Sequence, residues 1–262
     1  AEELKKAIPD LKIEIQIIKT RGDKILDVAL SKIGDKGLFT KEIETELLQG
    51  NIDLAVHSMK DLPVDIDEDL DIGAVLKRED PRDVLLSHKG WRFAELPPGA
   101  VLGTSSLRRM AQLRAKRPDL IIEPLRGNVE TRIKKMQEQD WDGIILAWAG
   151  VKRLGFQGLV SDFLDLEMVL PAVGQGAVAV QTRKNDHFTR ELVNLINHEN
   201  SLLEVRAERT LLGRLQGGCQ VPIGARAEVF NERIKIRGAV CSLDGRRCLR
   251  QDIEGPTGLG QE

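Results

Sequence analysis

One short stretch of the 262-residue chain, His57-Ser58-Met59-Lys60-Asp61, groups an imidazole, a hydroxyl, an ammonium and a carboxylate, and it closes at Leu62-Pro63. A carboxylate beside Lys60 can stay ionised and stabilise a developing cation, or pass a proton to a leaving group. Taken alone, Asp-Leu-Pro is more ordinarily an Asx-type turn, and a lone His57 a structural residue. Three further turns each bring arginine: Arg108 and Arg109 behind Thr104-Ser105-Ser106, Arg126 and Arg132 around Gly127-Asn128, and Arg153 after Ala149-Gly150. Helix N-termini offer unsatisfied N–H groups and partial positive charge, and a guanidinium binds a carboxylate through two parallel hydrogen bonds. In a chain that is 31% charged, any one of these arginines would ordinarily sit on a solvated helix face. Five in phase with three turns favour a crevice for a ligand with several negative groups, phosphate and carboxylate fitting equally. Cys219 follows Gly217-Gly218, and loop glycines let a thiol approach other groups closely. Cys241 and Cys248 lie in strand patterns and read as small packing residues. Gly174-Gln175-Gly176-Ala177-Val178-Ala179 has the GxGxxA spacing but precedes a strand, the wrong context for a dinucleotide.

These residues need elements to hold them. At 11–17 the apolar Leu11, Ile13, Ile15 and Ile17 alternate with Lys12, Glu14 and Gln16, the period expected of a half-buried strand. Leu38, Phe39, Ile43, Leu47 and Leu48 recur at helical spacing, with Gly50 placed to end the helix, and 53–56 is strand-like. From 82 to 170 one theme repeats: strands at 101–103, 120–125 and 143–147, each followed by a polar turn and a helix, at 107–116, 129–138 and from 151 onward. That succession indicates βαβ units on a parallel sheet, with all three turns at the carboxyl ends of the strands. Beyond Pro171 come a strand at 177–181, a helix at 202–215 ending at Gly217-Gly218, and strands at 225–229 and 234–240 with a hairpin signal at Asp244-Gly245. This last part is predicted to be a separate α+β unit with an antiparallel sheet.

Composition narrows the class of protein. With 39 Lys+Arg against 41 Asp+Glu the formal net charge is −2, without the basic surplus of a nucleic-acid binder. No apolar run approaches the roughly 18 residues of a membrane span. Three cysteines are too few for a disulfide scaffold and lack zinc-site spacing, so no metal is expected and a reducing cytoplasm is the simplest location. Aromatics make up 3% and tyrosine is absent, so a ligand site must rely on charge and backbone. Residues 1–7 read like the closing turns of a helix already under way.

Taken together, these segments resemble hydroxymethylbilane synthase, also called porphobilinogen deaminase. The resemblance runs through Thr20-Arg21-Gly22-Asp23, Lys36-Gly37-Leu38-Phe39-Thr40-Lys41-Glu42, the 57–63 stretch, 103–109, Leu125-Arg126-Gly127-Asn128, 172–176 and Gly217-Gly218-Cys219. It implies a transferase that joins four porphobilinogen molecules head to tail, releasing ammonia at each coupling, and frees the linear tetrapyrrole hydroxymethylbilane for uroporphyrinogen-III synthase. It implies that Cys219 carries a dipyrromethane primer through a thioether and that Asp61, with Lys60, is catalytic. Lys60, Asp61, Thr104, Ser106, Arg108, Arg109 and Arg132 would contact the cofactor, and Arg126, Arg153 and Gln175 the substrate. Each pyrrole ring brings two carboxylates, which suits a site poor in aromatics. Lys32, Lys36 and Phe39 resemble the family's lid over the site.

The same resemblance implies an α/β fold of three domains and a monomeric, cytoplasmic protein. Two domains similar to periplasmic binding proteins would comprise 1–76 with 177–197, and 82–170; a small α+β domain with an antiparallel sheet would span 199–262. The family begins with a strand carrying Thr-Arg-x-Ser-x-Leu-Ala and closes with a helix, and neither is found between Ala1 and Glu262. These 262 residues alone are therefore expected to be poorly stable and weakly active. The rival reading is a noncatalytic periplasmic-type binding protein for a carboxylated small molecule, which would carry no dipyrromethane.

Overall fold

The computed structural model describes residues 1–24, 37, 40–217 and 221–259. The elements run α1 (Glu2–Ala7), α2 (Arg21–Lys24), α3 (Lys41–Leu48), β1 (Leu54–Ser58), β2 (Leu70–Val75), β3 (Asp83–Leu86), β4 (Val101–Gly103), α4 (Leu107–Lys116), β5 (Ile121–Glu123), α5 (Val129–Glu138), β6 (Gly143–Ala147), α6 (Trp148–Arg153), β7 (Val160–Phe163), β8 (Val178–Arg183), α7 (His187–Asn194), α8 (Glu199–Arg214), β9 (Ile223–Phe230), β10 (Arg233–Cys241) and β11 (Cys248–Pro256). They form three sheets: β1-β8-β2, β5-β4-β6-β3-β7 and β11-β10-β9. The chain is thus α/β, with a separate antiparallel sheet at its C-terminal end.

The five-stranded sheet carries out the repeated strand–turn–helix pattern. β4 is parallel to both β5 and β6, while β3 runs antiparallel to β6 and β7. Side chains of a strand alternate between faces. Leu85, Leu102 and Ile145 accordingly pack with Leu113 of α4 on one face. Val84, Leu86, Ile144 and Leu146 pack with Ile133 and Met136 of α5 on the other. Burial on both faces explains the uninterrupted apolar runs of these strands. Side-chain caps start the two helices where the sequence places them: Ser106 accepts from the Arg109 N–H and Asn128 from the Thr131 N–H.

In the first sheet, β8 lies between β1 and β2 and is antiparallel to both, pairing Ala55 with Gln181 and Asp71 with Thr182. The chain therefore leaves this sheet after β2, builds the five-stranded sheet, and returns. The outgoing 76–82 and returning 171–177 segments lie side by side. Glu79 N–H donates to Gly176 O at 3.0 Å, and Arg78 Nε donates to Gln175 O at 2.9 Å. Gly176 has φ +85°, and a Cβ there would lie 2.5 Å from Glu79 O, so this crossing requires glycine. Helix α8 closes over the crossing with Glu208, whose carboxylate accepts both Arg78 Nη groups at 2.6 and 3.0 Å. It also accepts the N–H groups of Gly174 and Ala227, each at 2.8 Å.

Three local expectations are corrected. Residues 11–17 form no strand: Ile15 and Ile17 are 72% and 86% exposed, and the segment stands off outer strand β1 across a groove of about 820 Å³. Alternation marks a surface suited to a strand, but ladder hydrogen bonds need a neighbour about 4.8 Å away. Ala149 and Gly150 are not a turn, because α6 begins directly at Trp148 and places Arg153 at its last residue. Cys241 and Cys248 are not separate packing residues: they face each other as the last pair of the β10–β11 hairpin and are joined as a disulfide.

Removing one partner of a buried ion pair leaves the other uncompensated, at about 3–5 kcal/mol. Glu208→Gln is expected to lose stability on that scale, toward its lower end because Glu204 stands 3.6 Å from Arg78. A urea midpoint equal to that of the unaltered protein would contradict this account of the crossing.

Candidate functional site

Lys60 and Asp61 sit on a single 3₁₀ turn, Met59–Asp61, directly after β1. The turn is held from several sides. Met59 N–H donates to Ala177 O at 3.0 Å. Arg209 of α8, itself buried, donates to the carbonyls of Leu62, Pro63 and Val64 at 3.1, 2.6 and 3.1 Å. Gly174, at φ +71°, lies so close that a Cβ would stand 2.4 Å from Met59 Cγ and 3.3 Å from Lys60 N. The stretch that matches a dinucleotide fingerprint in spacing is therefore a backbone wedge beneath the carboxylate-bearing turn.

Lys60 and Asp61 both expose surface to solvent, while the protein atoms around their charged ends reduce their hydration. Burial raises the Asp61 carboxyl above its ordinary range, against the pull of Lys60, His57 and Arg132. Burial lowers the Lys60 ammonium; Asp61 opposes that shift, Arg109 adds to it, Asp83 opposes it and Arg108 adds to it. Lys60, Asp61, Asp83, Arg108, Arg109 and Arg132 thus belong to one electrostatic neighbourhood. His57 points into the sheet instead, with Nε2 3.0 Å from Gln181 Oε1, while Gln181 donates to Glu44 at 2.9 Å. Burial lowers its basicity, the structural role that a lone histidine ordinarily has.

The turn before α4 is built from its own hydroxyls. Thr104 Oγ1 accepts the Ser106 N–H at 3.2 Å, Ser106 caps the helix, and Ser105 Oγ accepts the Leu125 N–H at 2.9 Å, tying this turn to the next. Arg108 and Arg109 follow, both buried. Arg108 Nη1 donates to Asp83 Oδ2 at 2.8 Å and Leu170 O at 2.7 Å. Arg109 Nη2 meets Asp83 Oδ1 at 2.7 Å and its Nη1 meets Ile145 O at 2.9 Å. Burial would push the Asp83 carboxyl up, but the two guanidiniums overcome it and hold it well below the usual carboxylate range. Arg132 on α5 donates through Nε to Gly127 O at 2.7 Å, and its basicity is lowered by burial and by the charges of Arg109 and Arg126, with Asp61 opposing.

The expected site residues divide accordingly. Lys60, Asp61, Arg108, Arg109, Arg126 and Arg132 converge electrostatically, with Thr104 and Ser106 shaping the α4 turn. Gln175 is fully buried and donates to Pro81 O at 2.6 Å and Asp83 Oδ1 at 2.8 Å. Arg153 is exposed at the end of α6. Cys219, Lys32, Lys36 and Phe39 lie outside the described residues. Reading by motif missed Asp83 and Arg209. Asp83 had a signal: a carboxylate opening the apolar run Asp83-Val84-Leu85-Leu86 must take a cation into the core with it.

Comparison with known proteins places the chain in a family. The family model described as "Porphobilinogen deaminase, dipyromethane cofactor binding domain" matches residues 1–191, and "Porphobilinogen deaminase, C-terminal domain" matches residues 202–262. The porphobilinogen deaminase of Syntrophomonas wolfei subsp. wolfei is 62% identical over 243 residues, covering 93% of this chain and 79% of that protein. That of Carboxydothermus hydrogenoformans is 55% identical over 254 residues, 97% of this chain and 82% of that protein. Among solved structures, the probable amino-acid ABC transporter extracellular-binding protein ytmK of Bacillus subtilis matches loosely, with a TM-score of 0.42 and 11% identity over 74% of this chain and 75% of that one. Two matched family models spanning the sheets, and relatives above half identity along almost the whole length, show that the chain belongs to the porphobilinogen deaminase family.

Proposed function

We propose that this protein condenses four porphobilinogen molecules head to tail, with loss of ammonia at each step, and releases the linear tetrapyrrole hydroxymethylbilane. The observation that carries the reading is the carboxylate of Asp61 within electrostatic reach of Lys60 and Arg132, with Arg109 acting in turn on both of those cations. The reading extends to a monomeric, cytoplasmic enzyme whose product goes to uroporphyrinogen-III synthase.

The family cofactor, a dipyrromethane bound covalently at Cys219, suits the side chains present. Arg109 Nε is buried with no hydrogen-bond partner among the described residues, and Arg132 is pressed by two like charges, so an anionic group relieves both. Arg108, Arg109, Arg132 and Lys60 would hold its carboxylates, with Thr104 and Ser106 shaping the turn beside it. When bound, the cofactor supplies the pyrrole position to which the first substrate is joined.

Asp61 acts on the substrate. As the amino group of the aminomethyl substituent leaves as ammonia, positive charge develops on the pyrrole and the methylene carbon it keeps, and the fixed carboxylate stabilises it without reorganising. The ammonium of Lys60 keeps that carboxylate ionised and meets a substrate carboxylate. Arg126 and Arg153 supply cations for the incoming ring. The family relationship favours this reading over a noncatalytic binding protein.

Asp61→Asn is expected to lower kcat about 10²–10³-fold with little change in KM. Because the Asp61 carboxyl is raised, the acid limb of the activity profile should lie above the ordinary carboxylate value of about 4. Activity falls as pH drops through that raised value and the carboxylate takes up a proton. The lowered Lys60 ammonium places an alkaline limb below the ordinary lysine value of about 10, and Lys60→Gln should remove that limb. Steady-state assays across pH check both. Intact-mass measurement should find a dipyrromethane adduct that is absent from Cys219→Ser; an unmodified Cys219 in freshly purified protein would restore the binding-protein reading.

A further inference from the structure

The carboxylate of Asp83 lies outside the set of side chains that would meet ligand, yet the two buried arginines Arg108 and Arg109 are both anchored on it. It opens β3, has no exposed side-chain surface, and meets three donors: Arg108 Nη1 at 2.8 Å, Arg109 Nη2 at 2.7 Å and Gln175 Nε2 at 2.8 Å. Each guanidinium has a second anchor, Leu170 O or Ile145 O, so neither can turn without breaking two hydrogen bonds. One oxygen of Asp83 serves each arginine, which holds the two planar groups side by side despite their like charge. Arg109 Nε is left as a buried donor with no partner among the described residues.

We infer that Asp83 is a positioning residue that, together with Gln175, fixes the Arg108–Arg109 pair for the carboxylates of the dipyrromethane. The inference rests on the functional reading above. Gln175 carries the coupling across the crevice. Its Nε2 bridges Pro81 O and Asp83, while the adjacent Gly174 is wedged under Met59 and Lys60, so the arginine pair and the Asp61 turn are registered through two consecutive residues. Asp83 also cancels one of the two guanidinium charges. The pair therefore presents a net charge of about one beside Lys60, sparing that ammonium a second uncompensated cation. A neutral asparagine would keep one acceptor oxygen but lose the charge balance and turn a donor toward at least one of the two guanidiniums.

Asp83→Asn is expected to yield folded protein of which only a minority carries the dipyrromethane mass. Its apparent kcat should fall in proportion to occupancy, and its KM for porphobilinogen should stay unchanged. Gln175→Met, which keeps both ion pairs, should shift occupancy the same way by less, and it decides the matter should Asp83→Asn fail to fold. Occupancy is read by intact mass and folding by cooperative urea unfolding. Full cofactor occupancy in either folded variant overturns the role assigned to Asp83 and Gln175. Absence of the adduct from the unaltered protein would instead overturn the functional reading beneath it.

Discussion

A carboxylate taken out of water costs several kcal/mol unless its lone pairs are met, and Glu208 meets four donors at the place where three sheets converge. Two come from Arg78 on the outgoing crossing, one from Gly174 on the returning crossing and one from Ala227 on β9. No single sheet could satisfy it. The ion cluster therefore holds only when the first sheet, the crossing segments and the C-terminal sheet are assembled together. Its neighbour on α8, Arg209, turns the other way and caps the carbonyls at 62–64. Consecutive charged residues of one helix thus brace the crossing and the carboxylate-bearing turn.

The elements that could be read from the sequence are those whose causes are local. Helix 107–116 follows a serine that caps it, helix 129–138 an asparagine that caps it, and the β9–β10 turn falls at Asn231-Glu232, both with positive φ. What could not be read is pairing over long separations. Nothing near Ala55 announces Gln181 as its partner, and the family resemblance rather than periodicity suggested the return of the chain. The failure at 11–17 has the same origin, since alternation describes a face and says nothing of a neighbour. The disulfide was missed because Cys241 and Cys248 are seven residues apart across a hairpin, a spacing with no meaning until the β10–β11 register is known.

The candidate site was legible in its cations and in the carboxylate of Asp61 but not in its counter-ions. Arg108 and Arg109 were found because they follow a capping turn, whereas Asp83 lies 25 residues from Arg108 and is joined to it only by the fold. A reading from residue types counts arginines as positive charge available to a ligand. The structure divides that charge, part spent on a buried carboxylate and backbone carbonyls that fix geometry, part left to face the crevice. The hidden carboxylate is what makes the exposed part directional.

That division bears on which anion the crevice takes. The remaining cations are dispersed over separate elements: Lys60 follows β1 of the first sheet, Arg109 lies on α4, and Arg132 on α5. A compact phosphate has a single charge centre to offer cations that approach from three elements. A ligand with several carboxylates spread along a chain of rings can satisfy each cation with its own fork of hydrogen bonds. The residue types alone left phosphate and carboxylate equally suited; the placement of the cations on different elements favours the extended polycarboxylate.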